Sequence, residues 1–237
     1  LFIATGGKSY PQTGSTGDGY ILAESFGHHI EKPRPALCPL LIEGTVSKPM
    51  QELTLKNVSL TAKSVSFKKV LFGDVEFLPG RLSGPIALTM SSYINKIDNV
   101  ELALDFKPAL DEQTLDARLL REIKAHSNED VRYLLSKRLP FSMIDFFLEG
   151  MDIDEGTALL HRLKTLPLGY KGLDSIEKGI VTSGGISTKE IDSKTMQSKI
   201  VPGLYFIGEV IDVDALTGGF NIQIAFSTAY AAAKALD

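Results

Sequence analysis

Cysteine is nearly absent from this 237-residue sequence. Cys38 stands alone, which excludes an intramolecular disulfide and fits a reducing compartment. No apolar run approaches the ~20 residues needed to cross a bilayer, and no stretch resembles a signal peptide. A cytoplasmic protein without a membrane partner is therefore expected. Basic clusters are lacking as well: net charge is −4, and Lys and Arg are scattered, which argues against a nucleic-acid partner or a polybasic membrane patch. The densest basic stretch, Lys63 to Lys69, alternates polar and apolar residues and reads as the solvated face of a strand. No Gly-x-Ser-x-Gly elbow is present, and Ser83 in Leu-Ser-Gly-Pro reads as a turn. The histidines form no metal pattern. His28 and His29 read as a surface pair after a helix, and His126 and His161 sit in helices without carboxylates at ligand spacing. Cys38, between Leu37 and Pro39, reads as a buried small apolar residue.

What is present is enough apolar sequence, 43%, for one large domain or two smaller ones. Leu1-Phe2-Ile3-Ala4 is an apolar run bounded by Thr5-Gly6-Gly7, the pattern of a buried parallel strand. Such a strand needs neighbours on both sides, so a longer parent protein is expected, along with an association-prone strand edge in this chain. Gly6 to Gly19 reads as a loop, and a short helix is predicted over about Tyr20 to Phe26. Pro33, Pro35 and Pro39 then mark an extended segment.

Short alternating runs follow from about Leu41 to Phe106. The predicted strands are Leu53-Thr54-Leu55, Val58-Ser59-Leu60, Val65-Ser66-Phe67, Val70-Leu71-Phe72, Ile86-Ala87-Leu88-Thr89 and Val100 to Leu104, which suggests a small β-barrel or sandwich. The period then becomes helical. Leu115, Leu119 and Ile123 share a face behind a candidate cap at Asp111, and a second helix enters through Ser127 or Asn128. Further helices are predicted after Pro140, and around Leu159 to Leu163 behind Asp152 and Asp154. Strand character returns near Leu173, and the chain ends in a helix from about Asn221 to Leu236. The predicted organisation is a partial nucleotide-binding α/β domain from residues 1–40 and 195–237, a β-rich insert from 41–106 and 170–194, and a helical insert from 107–169.

The strongest local signal is Gly203-Leu-Tyr-Phe-Ile-Gly208-Glu209-Val-Ile-Asp212 followed by Thr217-Gly218-Gly219-Phe220-Asn221. An apolar strand ends at a glycine, two carboxylates follow, and adjacent glycines open a helix. Unpaired N–H groups at a helix N-terminus attract anions and electron-rich carbonyls, and glycines let a bulky ligand reach them. Ala225, Thr228, Ala229, Ala232 and Ala233 are small residues suited to close packing of that helix on a sheet. Spacing alone leaves open whether the unit binds a ligand or merely turns.

These residues, with Thr195 to Lys199 before them, resemble the BaiN-like NAD(P)/FAD-dependent oxidoreductases, flavoproteins with inserted β-barrel and helical parts. Ala4-Thr-Gly-Gly-Lys-Ser-Tyr-Pro through Gly17-Asp-Gly-Tyr20, Leu82-Ser-Gly-Pro85 and Val181-Thr-Ser-Gly-Gly-Ile-Ser187 carry the same resemblance. It implies a Rossmann-like FAD-binding α/β fold at both termini. Gly208 and Asp212 would then lie along the ribityl and pyrophosphate part of FAD, with Glu209 a further cofactor-binding residue, and Thr5, Gly6 and Gly7 near its ADP portion. Gly218, Gly219, Phe220 and Asn221 would bring main-chain N–H groups to the flavin's pyrimidine edge, and Gly184-Gly185 would line its redox face or turn. The family's Gly-x-Gly-x-x-Gly unit has no counterpart here, since Gly14-Ser-Thr-Gly17-Asp-Gly19 follows Pro11 in a loop rather than a strand. The resemblance thus implies the C-terminal part of an enzyme passing hydride between NAD(P)H, FAD and an organic substrate, with this chain alone holding FAD weakly or not at all. A chain that is a catalytically inert structural fragment is the other expectation.

Overall fold

The computed structural model describes residues 1–43, 53–125, 131–137, 139–148 and 156–236. His126, the helix entry expected at Ser127 or Asn128, and the pair Asp152 and Asp154 lie outside the described residues. In chain order the first elements are β1 (Phe2–Ile3), α1 (Asp18–Ser25), β2 (Ile30–Ala36), β3 (Leu40–Ile42), β4 (Leu53–Lys63) and β5 (Lys68–Leu78). Then come β6 (Arg81–Ser83), α2 (Pro85–Ile94), β7 (Glu101–Asp105), α3 (Glu112–Ala125), α4 (Val131–Ser136) and α5 (Ile144–Leu148). Last are α6 (Gly156–Lys164), β8 (Leu166–Leu168), β9 (Tyr170–Leu173), β10 (Val181–Ile186), β11 (Tyr205–Phe206) and α7 (Phe220–Lys234). They form two compact units, one of Leu1–Pro39, Leu88–Lys96 and Leu173–Asp237, the other of Leu40–Ala87 and Ile97–Gly172. Residues 173–194, grouped by sequence with the β-rich insert, fall in the first unit because β10 pairs with β2.

The second unit holds a sheet in the order β8-β7-β4-β5-β6-β3-β9. The runs Leu53-Thr54-Leu55 and Val58-Ser59-Leu60, expected as two strands, are one strand. The register shifts between Leu55 and Val58, and Asn57 takes the extra residue at φ 57. Asparagine tolerates that left-handed conformation, so the ladder bulges instead of turning. Val65-Ser66-Phe67, also expected as a strand, is the β4–β5 turn, closed by the Ser64 N–H donating to the Phe67 carbonyl at 2.8 Å. Ile86 to Thr89 is helix rather than strand: Pro85 opens α2, where its missing N–H costs no intrahelical bond. Buried Ile86, Met90 and Ile94 recur there at helical spacing. Asp111 caps α3 as expected, accepting the Thr114 N–H at 2.7 Å, and those hydrogen bonds hold its carboxyl below the usual range. Leu115 and Leu119 of α3 are buried behind that cap. Phe106 and Phe147 meet edge to face at 5.7 Å.

In the first unit β1 pairs parallel with β11, and β2 pairs antiparallel with β10. The core gathers Ile3, Tyr20, Ala23, Ile186, Phe206 and Ala232. Leu1 and Phe2, expected in a buried strand, are exposed, and only Ile3 of the pair in β1 is buried. His28 is not at the surface either. Its ring is buried edge-on to Phe206, with Nδ1 3.0 Å from Glu190 Oε2 and Nε2 2.8 Å from Ser198 Oγ. Ser198 Oγ already accepts the N–H groups of Ile200 at 3.0 Å and Val201 at 2.8 Å. Its proton is therefore directed at Nε2, and Nδ1–H donates to Glu190, which also accepts the His29 N–H. The trio has the order of a catalytic serine, histidine and acid. Burial of Ser198 and its filled acceptor positions make it a lock between distant segments instead of a nucleophile.

Cys38 is fully buried, as its sequence context predicts, and burial pushes its thiol from 9.0 to about 11. The folded chain thus keeps the proton over a range in which the unfolded chain loses it. Stability from this group is intact below pH 9 and falls as pH rises from 9 towards 11. At pH 8 the native thiol is expected to resist iodoacetamide and to react promptly in urea. Equal alkylation rates in the two states, followed by mass spectrometry, would contradict that burial.

Candidate functional site

The segment after β11 changes direction within a few residues. Gly208 sits at φ 76, a conformation that favours glycine, and begins a 3-10 turn through Val210. Its N–H donates to Thr228 Oγ1 at 2.9 Å, and that hydroxyl in turn donates into α7's own carbonyls at Ile224 and Ala225. Thr228 therefore ties the turn to α7. Glu209 works in the opposite direction: its Oε1 accepts the Thr182 N–H at 2.8 Å and lies 3.3 Å from Ser9 Oγ. Thr182 Oγ1 accepts the N–H groups of Lys8 at 2.8 Å and Ser9 at 3.0 Å. One carboxylate and one threonine thus fasten the loop after β1 to β10 and to the turn.

This fastening explains Gly7. A Cβ there would lie 2.4 Å from Thr182 Oγ1 and 2.6 Å from Glu209 Oε1, so the glycine makes room for the pin. Gly6 takes φ 74 with Ser15 Oγ at 2.8 Å from its missing Cβ, and Thr5 is exposed with its hydroxyl over Gly19. Gly184 and Gly185 are filled in the same way by backbone. Cβ atoms there would come within 2.6 Å of the Lys32 carbonyl and the Val210 carbonyl respectively. They let β10 bulge against β2 and approach the 208–212 segment, where the Asp212 N–H donates to the Ile186 carbonyl at 2.9 Å.

The open ground lies at the start of α7. Gly219 is its N-cap at φ 83, with no capping side chain and nothing within 4 Å of a would-be Cβ. Asn221 does not point into that space. Its Oδ1 accepts the Ala215 N–H at 2.8 Å and its Nδ2 donates to the Ala215 carbonyl at 2.7 Å, pinning the loop before the helix. A cavity of about 400 Å³ opens here, lined by Glu209, Thr217, Gly218, Gly219, Asn221 and Ala225 together with Leu37, Ile180 and Val181. The cavity unites Glu209, Gly218, Gly219 and Asn221. Thr5, Gly6, Gly7, Gly184, Gly185, Gly208, Asp212 and Phe220 stand outside its lining.

Chemically the cavity offers a helix N-terminus with free N–H groups, an apolar wall and one carboxylate already held by hydrogen bonds. That set suits a flat, electron-rich ring with an anionic or carbonyl edge, such as the pyrimidine edge of a flavin. Tyr20 adds a feature that spacing did not single out. Its hydroxyl is buried without a hydrogen-bond partner among the described residues, and burial followed by the nearby Glu209 and Asp212 raises its phenol above the usual range. It stays protonated and can act as a donor beside those carboxylates. Among the described residues no cluster of His, Cys, Asp or Glu could hold a metal ion, and no helix is long and apolar enough to cross a membrane.

Two relatives named as ribosomal RNA dihydrouridine synthase, from Escherichia coli and Haemophilus influenzae, are 33% and 32% identical over the whole chain. A 3-dehydro-bile acid delta(4,6)-reductase from Clostridium scindens is 24% identical over 99% of it. The chain spans 60% of the length of the first two and 61% of the third. The family model described as the HI0933-like protein Rossmann domain matches residues 1–235, and the chain belongs to that family.

Proposed function

We propose that this chain is part of a flavin-dependent reductase that saturates a carbon–carbon double bond conjugated to a carbonyl, with a uridine of ribosomal RNA as its substrate. The observation that carries the flavin half is the open, glycine-capped N-terminus of α7 in a cavity wide enough for a ring edge. The substrate half rests on the relatives' names. A dihydrouridine synthase adds two hydrogens across the double bond beside a uracil carbonyl, and a delta(4,6)-reductase by name acts on carbon–carbon double bonds. The two relatives named for RNA are more similar to this chain than the one named for a steroid, which favours uridine.

When bound, FAD reduced by NAD(P)H would supply the hydride, and a proton from solvent or a side chain would complete the addition. The residues of this chain would orient and tune that group. The first N–H groups of α7 would hold the ring edge where negative charge gathers on reduction, and the helix dipole would favour that charge. Asn221 holds the preceding loop so that those N–H groups stay uncovered. Leu37, Ile180 and Val181 would supply an apolar wall for the ring.

No Gly-x-Gly-x-x-Gly unit follows a strand in this sequence, so the pyrophosphate lacks its usual helix N-terminus. The purified chain is accordingly expected to lose added FAD on gel filtration. A parent protein carrying such a unit should keep it and convert uridine to dihydrouridine in ribosomal RNA when given NAD(P)H. Near-stoichiometric flavin absorbance on the chain alone would refute the first expectation. A flavin-loaded parent that leaves ribosomal RNA unchanged but reduces a conjugated steroid ketone would refute the substrate.

A further inference from the structure

The β4–β5 hairpin carries a charge pattern unlike the rest of the molecule. From Leu55 to Gly73 the sequence has Lys56, Lys63, Lys68 and Lys69 and no acidic residue, in a chain of net charge −4. The ladder sets Lys63 opposite Lys68, Thr61 opposite Val70 and Ser59 opposite Phe72. Side chains alternate along a strand, so Lys68, Val70 and Phe72 share one face of β5 with Lys63 and Thr61 of β4.

That face is open. Phe72 is 63% and Val70 51% exposed, both lysines are exposed, and Val65 at the turn is fully so. The opposite face carries buried Leu60, Ala62 and Val75, so the core does not call on Phe72. Two lysines held opposite each other repel, and a phenylalanine left in water gains nothing from burial. Neither arrangement serves folding, and both suit an anionic, aromatic ligand.

A groove of about 610 Å³ runs along this face, lined by Thr61, Lys63, Lys68, Val70, Lys164 and Tyr170 among others. Its carboxylates are Glu101, across the ladder from Lys63, and Asp105, which Lys164 neutralises at 2.7 Å. Asp74 and Glu76 stand farther along the outer face of β5, where Asp74 accepts the Asn57 N–H. The hairpin's tip thus keeps a positive excess, Lys63 and Lys68 against the single Glu101.

We propose that this face of the β4–β5 hairpin holds a single-stranded stretch of RNA, with Lys63 and Lys68 on phosphates and Phe72 stacked on a base. The choice of RNA rests on the ribosomal RNA substrate proposed above. Lysines supply the sequence-independent electrostatic attraction, and an exposed aromatic on a sheet face supplies stacking. The scattered charge of the whole chain hides the site because acidic residues elsewhere cancel it in the sum.

The test uses the 237-residue chain without flavin and a fluorescein-labelled, uridine-containing RNA of about 15 nucleotides, followed by anisotropy across salt concentrations. Binding should weaken about tenfold or more in the K63E/K68E double variant, with a shallower salt dependence. Phe72→Ala should weaken it several-fold with the salt dependence unchanged. Circular dichroism on each variant confirms that these surface changes leave the fold intact. RNA binding that is absent, or equal in wild type and both variants, would overturn the proposal. Loss in the lysine variant with none in Phe72→Ala would overturn it as an RNA site and leave a general polyanion patch. Because flavin takes no part in the assay, failure of the reductase reading leaves this result standing. Conversely, a parent enzyme that reduces ribosomal RNA at full rate with both lysines reversed would sink the hairpin site alone.

Discussion

Gly185→Ala is expected to destabilise the chain by about 3 kcal/mol, among the largest effects of any single methyl group here. The residue sits at φ 130, which L side chains rarely adopt. Its added Cβ would lie 2.6 Å from the Val210 carbonyl oxygen, 3.1 Å from the Ile211 carbonyl carbon and 3.2 Å from the Asp212 nitrogen. All three are main-chain atoms, so no rotamer change relieves the clash. Relief requires β10 to move off the 208–212 segment, which breaks the Asp212 N–H bond to Ile186. The Glu209 bond to the Thr182 N–H lies in its path as well. For a chain of this size about 3 kcal/mol corresponds to a fall in Tm of roughly 6–12 °C. Gly27→Ala is the control, since Gly27 has φ 86 but nothing within 4 Å of its Cβ position. It should cost only about 1 kcal/mol. Equal losses in urea melts of the two variants would mean that backbone strain, not close approach, makes glycine necessary at 185.

That contrast also marks what the sequence could reveal. The glycines at 184, 185, 218 and 219 stood out by composition, yet adjacent glycines have two physical uses. One pair lets strands approach and the other leaves room above a helix end. Only the atoms around each missing Cβ separate these uses. Elements with strong periodicity were legible: α3 behind Asp111, β11 and α7 lie within a few residues of where the pattern puts them. Ile86 to Thr89 is ambiguous in sequence because four apolar or β-branched residues fit a strand as well as a helix turn, and Pro85 at the first helical position decides for the helix. His28 and Tyr20 were illegible for another reason. Their partners Glu190, Ser198, Glu209 and Asp212 are far along the chain, and no local spacing announces a long-range hydrogen bond or an unmet hydroxyl.

Asn221→Ala tests whether the start of α7 is a built site. The side chain closes a two-bond ring on the backbone of Ala215, accepting one N–H and donating to one carbonyl. Removing it leaves two backbone groups unmet and should cost about 2 kcal/mol, concentrated in residues 215–219. In the chain without flavin, hydrogen exchange should quicken there while β4, β5 and α3 keep their protection. In a flavin-binding parent, FAD affinity should fall about tenfold or more, because the N–H groups of Gly219 and Phe220 then share the space with a moving loop. Asn221→Asp separates pinning from charge. It still accepts the Ala215 N–H but cannot donate to the carbonyl, and it brings a negative charge to the helix N-terminus. Loop exchange should therefore be partly restored, while the flavin's two-electron potential moves to more negative values as the anionic reduced ring loses its favourable field. An Asp variant that restores both loop protection and potential would show that α7's dipole does not act on the flavin. Unchanged exchange in Asn221→Ala would show that the ring to Ala215 does not hold the loop.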